Sequence, residues 1–185
     1  MSERERPMAP ATDPTVTARI DDDATGATLA EVAGRWVLTM TRALPHPVDR
    51  VWPKLTEPDQ LRTWSPVGPD RPLDSVGPAT SRETPQDDPE DAEVLVCDPP
   101  RELVHRWGSH LLRWTLAPTP DGSLLTLEHT FDEHPGRGMY AAGWHVALAV
   151  LATVFDGHEV DRVVGEAARE YGWSTLRQRY DESLG

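Results

Sequence analysis

Hydrophobic positions change their period several times along the chain, and each change marks an element. Between Arg35 and Leu44, Trp36, Leu38 and Met40 alternate with Val37, Thr39 and Thr41, the period-two pattern of a strand with one buried face. A turn at Gly34 leads into it. Pro47 stands where a first helical turn tolerates a missing N–H, and Val48, Val51, Trp52 and Leu55 then recur at helical spacing. Thr56, read as a cap, and Pro58 restart the chain, and Leu61 and Trp64 give a second short helix an apolar edge. Helices are therefore expected near 47–55 and 57–63. Prolines punctuate residues 65–92, where 71–75 and 79–83 read as edge strands and 86–91 as an acidic loop.

Four strands are expected next, near 92–97, 102–107, 110–117 and 123–131, with Asp121-Gly122 as a tight turn before the last. After Gly136 and Gly138 a long helix should run over 139–156, carrying Trp144, Leu148, Leu151 and Phe155 as its stripe and ending at Gly157. Residues 159–182 continue as polar helices with an apolar line through Val163, Tyr171, Leu176 and Tyr180. Residues 1–27 are polar and proline-bearing and read as a mobile tail. The resulting division is a tail over 1–27, one domain over 28–157, and a polar helical extension over 158–185. An antiparallel sheet with one apolar face, curled around one long helix, is the economical way to bury both stripes, an α+β architecture.

A chain of 185 residues is long enough for one domain with a substantial core. The net charge of −13 argues against nucleic acid or an anionic membrane as partner. Lys54 is the only Lys, Ile20 the only Ile, and Asn is absent, a bias expected of a GC-rich bacterial genome. Cys97 is alone, which rules out an internal disulfide and disfavours a cysteine metal site. The N-terminus lacks the apolar stretch of a signal peptide, and no apolar run was expected to reach membrane-spanning length, so a soluble, cytoplasmic protein is the expectation.

Four segments carry a family resemblance: His46–Trp64 (HPVDRVWPKLTEPDQLRTW), Asp98–Trp107 (DPPRELVHRW), Asp121–Thr130 (DGSLLTLEHT) and Ala142–Leu151 (AGWHVALAVL). In this order they resemble the helix-grip (START-like, Bet v 1-like, SRPBCC) superfamily, in its Hsp90-ATPase-activator-homologue-like branch. The resemblance spans roughly residues 28–157. It implies a curved antiparallel sheet wrapped around a long C-terminal helix, with two short helices after the first strand. It does not imply one activity, because the superfamily holds ligand carriers, cyclases, hydrolases and chaperone regulators.

Strand alternation puts His105 with Leu103 and Trp107 on one inward face, and His129 with Leu125, Leu127 and Phe131 on another. The functional reading is an aromatic cavity lined by Trp64, Trp107, Trp114, Phe131, Trp144 and Leu148, in which His105 and His129 orient a small apolar or aromatic ligand. The competing reading is that these side chains fill the core, each Trp N–H taking an internal partner. His129 and His105 are also the candidates for acid/base catalysis of the cyclase or hydrolase kind, but no second polarising group is evident beside them. No nucleophile elbow, phosphate loop, metal-ligand spacing or cofactor motif occurs. A third reading, a chaperone-regulating interaction domain, comes from the resemblance alone. Tyr171, Trp173 and Tyr180 in the extension dock either on their own domain or on a second copy, as a homodimer contact.

Overall fold

In a computed structural model, residues 12–22 and 26–185 are described. Two strands, β1 (Ala27–Val32) and β2 (Arg35–Leu44), form a hairpin ahead of two short helices, α2 (Val48–Thr56) and α3 (Pro58–Leu61); a helix that precedes them, α1, spans Pro14–Asp22. After a loop holding the small pair β3 (Thr80–Ser81) and β4 (Glu90–Asp91) come β5 (Val94–Asp98), β6 (Glu102–Trp107), β7 (His110–Thr119) and β8 (Gly122–Phe131). The long helix α4 (Arg137–Phe155) follows, then α5 (Ala167–Glu170) and α6 (Trp173–Ser183). The main sheet is antiparallel throughout, in the order β1-β2-β8-β7-β6-β5, and wraps one face of α4. This is the expected α+β helix-grip arrangement.

Alternation decides the sheet's two faces. Leu103, His105, Leu112, Trp114, Leu125, Leu127, His129 and Phe131 are buried inward, whereas Arg113 on the outer face bridges Glu102 at 2.7 Å and Glu128 at 2.9 Å. The β7–β8 turn centres on Pro120-Asp121, one residue earlier than expected, because Thr119 pairs with Gly122. Gly122 opens β8 with a φ of +151°, and an added Cβ would come within 2.7 Å of the His46 nitrogen. That close approach, with Ser123 Oγ donating to the His46 carbonyl at 2.8 Å, ties the hairpin to the start of the helix pair.

Several expectations are corrected. Over 14–22 the supposed tail is a helix, because Asp13 accepts from the Thr15 and Val16 N–H groups at its start and Val16 and Ile20 share one buried face. The remaining tail residues, 1–11 and 23–25, lie outside the described residues. Residues 71–75 form no strand; Arg71 instead donates to the carbonyls of Pro72, Pro78 and Gly77 and organises a loop. Thr56 does not cap α3, since its hydroxyl turns back to the Trp52 carbonyl at 3.1 Å. Gly157 does close α4, with a φ of +85°.

The long helix is apolar all round rather than on one stripe. Its far side is covered by α1 and α6, with Val146, Ala149 and Val150 as buried as Trp144 and Leu148. With the turn before it, from His134 to Phe155, it is long and apolar enough to span a membrane, contrary to expectation. Two thirds of that window (67%) lies buried in the fold, so its apolar surface is accounted for by packing.

Candidate functional site

A row of four indoles crosses the interior. Trp64 meets Trp114 edge-on at 5.8 Å, Trp114 meets Trp144 edge-on at 5.3 Å, and Trp144 meets Trp107 at 5.6 Å, tilted by 59°. A buried indole N–H requires an acceptor, and the three fully buried ones, of Trp64, Trp114 and Trp144, each have one. Trp64 donates to the Lys54 carbonyl at 2.9 Å, Trp114 to His105 Nε2 at 3.2 Å, and Trp144 to His129 Nδ1 at 3.0 Å. The two inward histidines are thus the acceptors that make the tryptophans tolerable inside.

Indole nitrogen only donates, so the tautomers follow. His105 accepts at Nε2 and donates from Nδ1 to the Arg106 carbonyl at 2.8 Å. His129 accepts at Nδ1 and donates from Nε2 to His110 Nδ1 at 2.9 Å. Burial lowers the pKa of His105 to about 4 and pushes His129 well below the usual value, with His110 adding to the latter. Both nitrogens of both rings are engaged, so neither has a position left to exchange a proton with a ligand. His110, half-buried, was missed in the sequence. Alternation could have found it, because it shares the inward face of Leu112 and Trp114.

The expected lining set therefore divides. Trp64, Trp114, Phe131, Leu148, His105 and His129 are closed into the packed core, none more than 2% exposed. They pack edge-on against one another between the sheet and α4, in the space where the aromatic-cavity reading places a ligand. Trp107, half-buried, and Trp144, itself only 2% exposed, line a recess at the end of the row. There a half-enclosed pocket of about 310 Å³ lies between the β6–β7 hairpin, α4 and the C-terminal segment. Trp107, Tyr140, Trp144 and Trp173 form its aromatic walls. Gly143 and Ala147 floor it along α4, and an added Cβ at Gly143 would meet nothing within 4 Å. Val163, Val164 and Ala168 close it from the chain after α4. Tyr140 lies four residues before Trp144 on the helix face, a spacing that could have flagged it; Glu83, from the loop of 65–92, gave no such signal.

Glu83 Oε1 accepts the Gly165 N–H at 3.0 Å, which ties the loop to the closing segment. Burial raises the pKa of its carboxyl, with Asp87 and Glu90 adding and Arg162 opposing. Arg162 braces the same junction, donating to the Ser65 carbonyl at 3.1 Å and to the Glu83 carbonyl. A larger depression of about 420 Å³ lies between α1, β2 and α4, but charged Arg19, Arg42 and Asp156 line it, and Arg19 and Asp156 pair across it. That chemistry suits solvated charge rather than an apolar guest. Cys97 stands apart, its thiol pKa raised by burial and by Asp74 and Asp98, and so is a poor nucleophile.

Fold and interior together define a helix-grip domain of SRPBCC type with an aromatic pocket at one end of its core. The model of the family described as Activator of Hsp90 ATPase homolog 1-like protein matches residues 45–156, and the chain belongs to that family. No curated protein matches it. Among solved structures it resembles the conserved protein EF2215 from Enterococcus faecalis, at 19% identity and a TM-score of 0.71, over 91% of this chain and 96% of that one. It also resembles CalU16 from Micromonospora echinospora, at 21% identity and a TM-score of 0.64, over 86% and 98%. A third likeness is to DynU16, a protein in the dynemicin biosynthetic locus, at 24% identity and a TM-score of 0.59, over 68% of this chain and 50% of that one. At these identities the likeness speaks for the fold.

Proposed function

We propose that this protein is a binding module that holds one small, largely apolar, aromatic molecule in the pocket beside Trp107 and Trp144. The observation that carries the reading is the contrast between closely packed inner tryptophans and a half-enclosed recess walled by four aromatic rings. Stacking on indole and phenol faces, with little polar surface to desolvate, favours a flat or compact apolar guest. The volume lies at the small end for such sites, which favours a metabolite-sized guest over a lipid chain. Binding without turnover is favoured over a cyclase or hydrolase because both inward histidines are already committed to tryptophans.

Five of the thirteen residues that line the pocket lie between Val163 and Trp173, beyond the segment matched by the family model. The extension is thus read as part of the binding device, and its choice of residues as what tunes the guest.

The test is a thermal-shift and tryptophan-fluorescence screen of small aromatic metabolites, run beside Gly143→Phe. A Cβ at 143 meets nothing within 4 Å, and Gly143 lines the recess, so a phenyl ring carried there is placed to occupy it. A compound that shifts the wild type and not Gly143→Phe supports the reading. Compounds that shift both equally, or none that shifts the wild type, refute it.

A further inference from the structure

Resting on that reading, we infer that the pocket selects a positively charged guest: an organic cation such as an alkylated or aromatic amine. Among the described residues that line the recess, Glu83 is the one charged side chain, and it is a carboxylate. No Lys, Arg or His stands among them. Three indoles and a phenol surround the space that Glu83 faces, and the electron-rich faces of such rings attract cations.

The neighbouring carboxylates act in the same sense, with Arg162 opposing them. Burial first, then Asp87 and Glu90, disfavours ionisation of Glu83 while Arg162 favours it, and a cation seated beside the carboxylate relieves the cost of its burial. Two arginines touch these walls without lining the recess. Arg162 turns its terminal nitrogens to the carbonyls of Ser65 and Glu83. Arg177, which approaches the Trp173 ring at 5.6 Å, is paired with Asp181 at 3.6 Å. Only one oxygen of the Glu83 carboxylate is used, by the Gly165 N–H. An alkylated ammonium is weakly hydrated and loses little on entering an apolar recess. A carboxylate guest would lose strong hydration and meet a like charge, so the same geometry rejects it.

The experiment uses the full chain and three matched probes followed by tryptophan fluorescence and calorimetry. They are benzyltrimethylammonium, its uncharged carbon isostere neopentylbenzene, and the anion phenylacetate. The expected order is the cation at least tenfold tighter than the neutral isostere, with the anion weakest. Glu83→Gln keeps an acceptor for the Gly165 N–H and should weaken the cation several-fold more than the neutral probe, the preference that remains being the part the rings supply. If the neutral probe binds as well as the cation, or the anion binds best, the charge selection is overturned while the aromatic pocket stands. If none of the three binds at millimolar concentration, both the selection and the pocket reading are overturned.

Discussion

Trp144 donates to His129 Nδ1, and this single bond fixes which proton His129 carries and hence how it addresses His110. If His110 took a proton at Nδ1 it would face the N–H of His129 with no acceptor, so the chain holds only while His110 is neutral there. Burial lowers the pKa of His110, with Glu133 opposing and Arg35 adding, which favours that neutral form. Trp144→Phe removes the donor and leaves a buried ring nitrogen without a partner. Urea unfolding should show a loss of about 1–3 kcal/mol, against no change if the bond is incidental. One residue away, Gly143 has the opposite character. It lies inside a helix, and a methyl group there meets nothing. Gly143→Ala should raise stability by about 0.5–1 kcal/mol through helix propensity; a lower melting temperature would show that the recess does not tolerate even a Cβ. The tautomer argument was not visible in the sequence. Alternation showed that His105 and His129 point inward, but not that their partners would be indoles.

At the scale of elements, His145 joins three helices. From α4 it donates Nε2–H to the Ile20 carbonyl of α1 at 3.0 Å and accepts the Tyr180 hydroxyl of α6 at Nδ1, 2.7 Å away. Burial lowers its pKa to about 4, with Arg42 and Arg179 adding and the Ile20 carbonyl opposing. In the unfolded chain a histidine takes its proton near pH 6.5, whereas His105 and His145 do so in the fold only near about 4. The unfolded state therefore binds more protons across that window, and stability falls as pH drops from 6.5 toward about 4. The loss is on the order of 3 kcal/mol per histidine, at about 1.4 kcal/mol per unit. Urea midpoints taken across the window should decline, and His145→Gln should flatten part of the slope; a flat profile would contradict the account. Close packing of α6 on α4 depends on Gly138, where an added Cβ would press on Asp181 and come within 2.8 Å of the Arg177 carbonyl. Gly138→Ala should therefore lower the melting temperature, in contrast to Gly143→Ala in the same helix. From the sequence, α4 read as one stripe facing a sheet. Its second buried side was hidden because the helices that cover it, α1 and α6, have mostly polar compositions with only two or three anchors each, such as Val16 with Ile20 and Leu176 with Tyr180.

For the whole molecule, the helix-grip architecture was legible because period changes, turn residues and four ordered segments agreed with one another. The pocket was legible only in part. Trp107 and Trp144 were in the expected set, yet the inner tryptophans belong to the core, and the remaining walls come from the loop at Glu83 and the segment around Val163–Trp173. Such a wall is assembled from distant stretches with no common period, so no local pattern announces it. The family-matched region therefore supplies the floor and three of the four aromatic walls, and the extension supplies Trp173 and the closing side.

That division gives a direct test in the indole N–H signals of a ¹H–¹⁵N spectrum, assigned by Trp→Phe variants and followed during titration with benzyltrimethylammonium or a hit from the aromatic screen. The account predicts saturable shifts at Trp107, Trp144 and Trp173, with Trp52 and Trp64 unmoved. Shifts centred on Trp64 and Trp114, or no saturable shift at any indole with any compound, would contradict it.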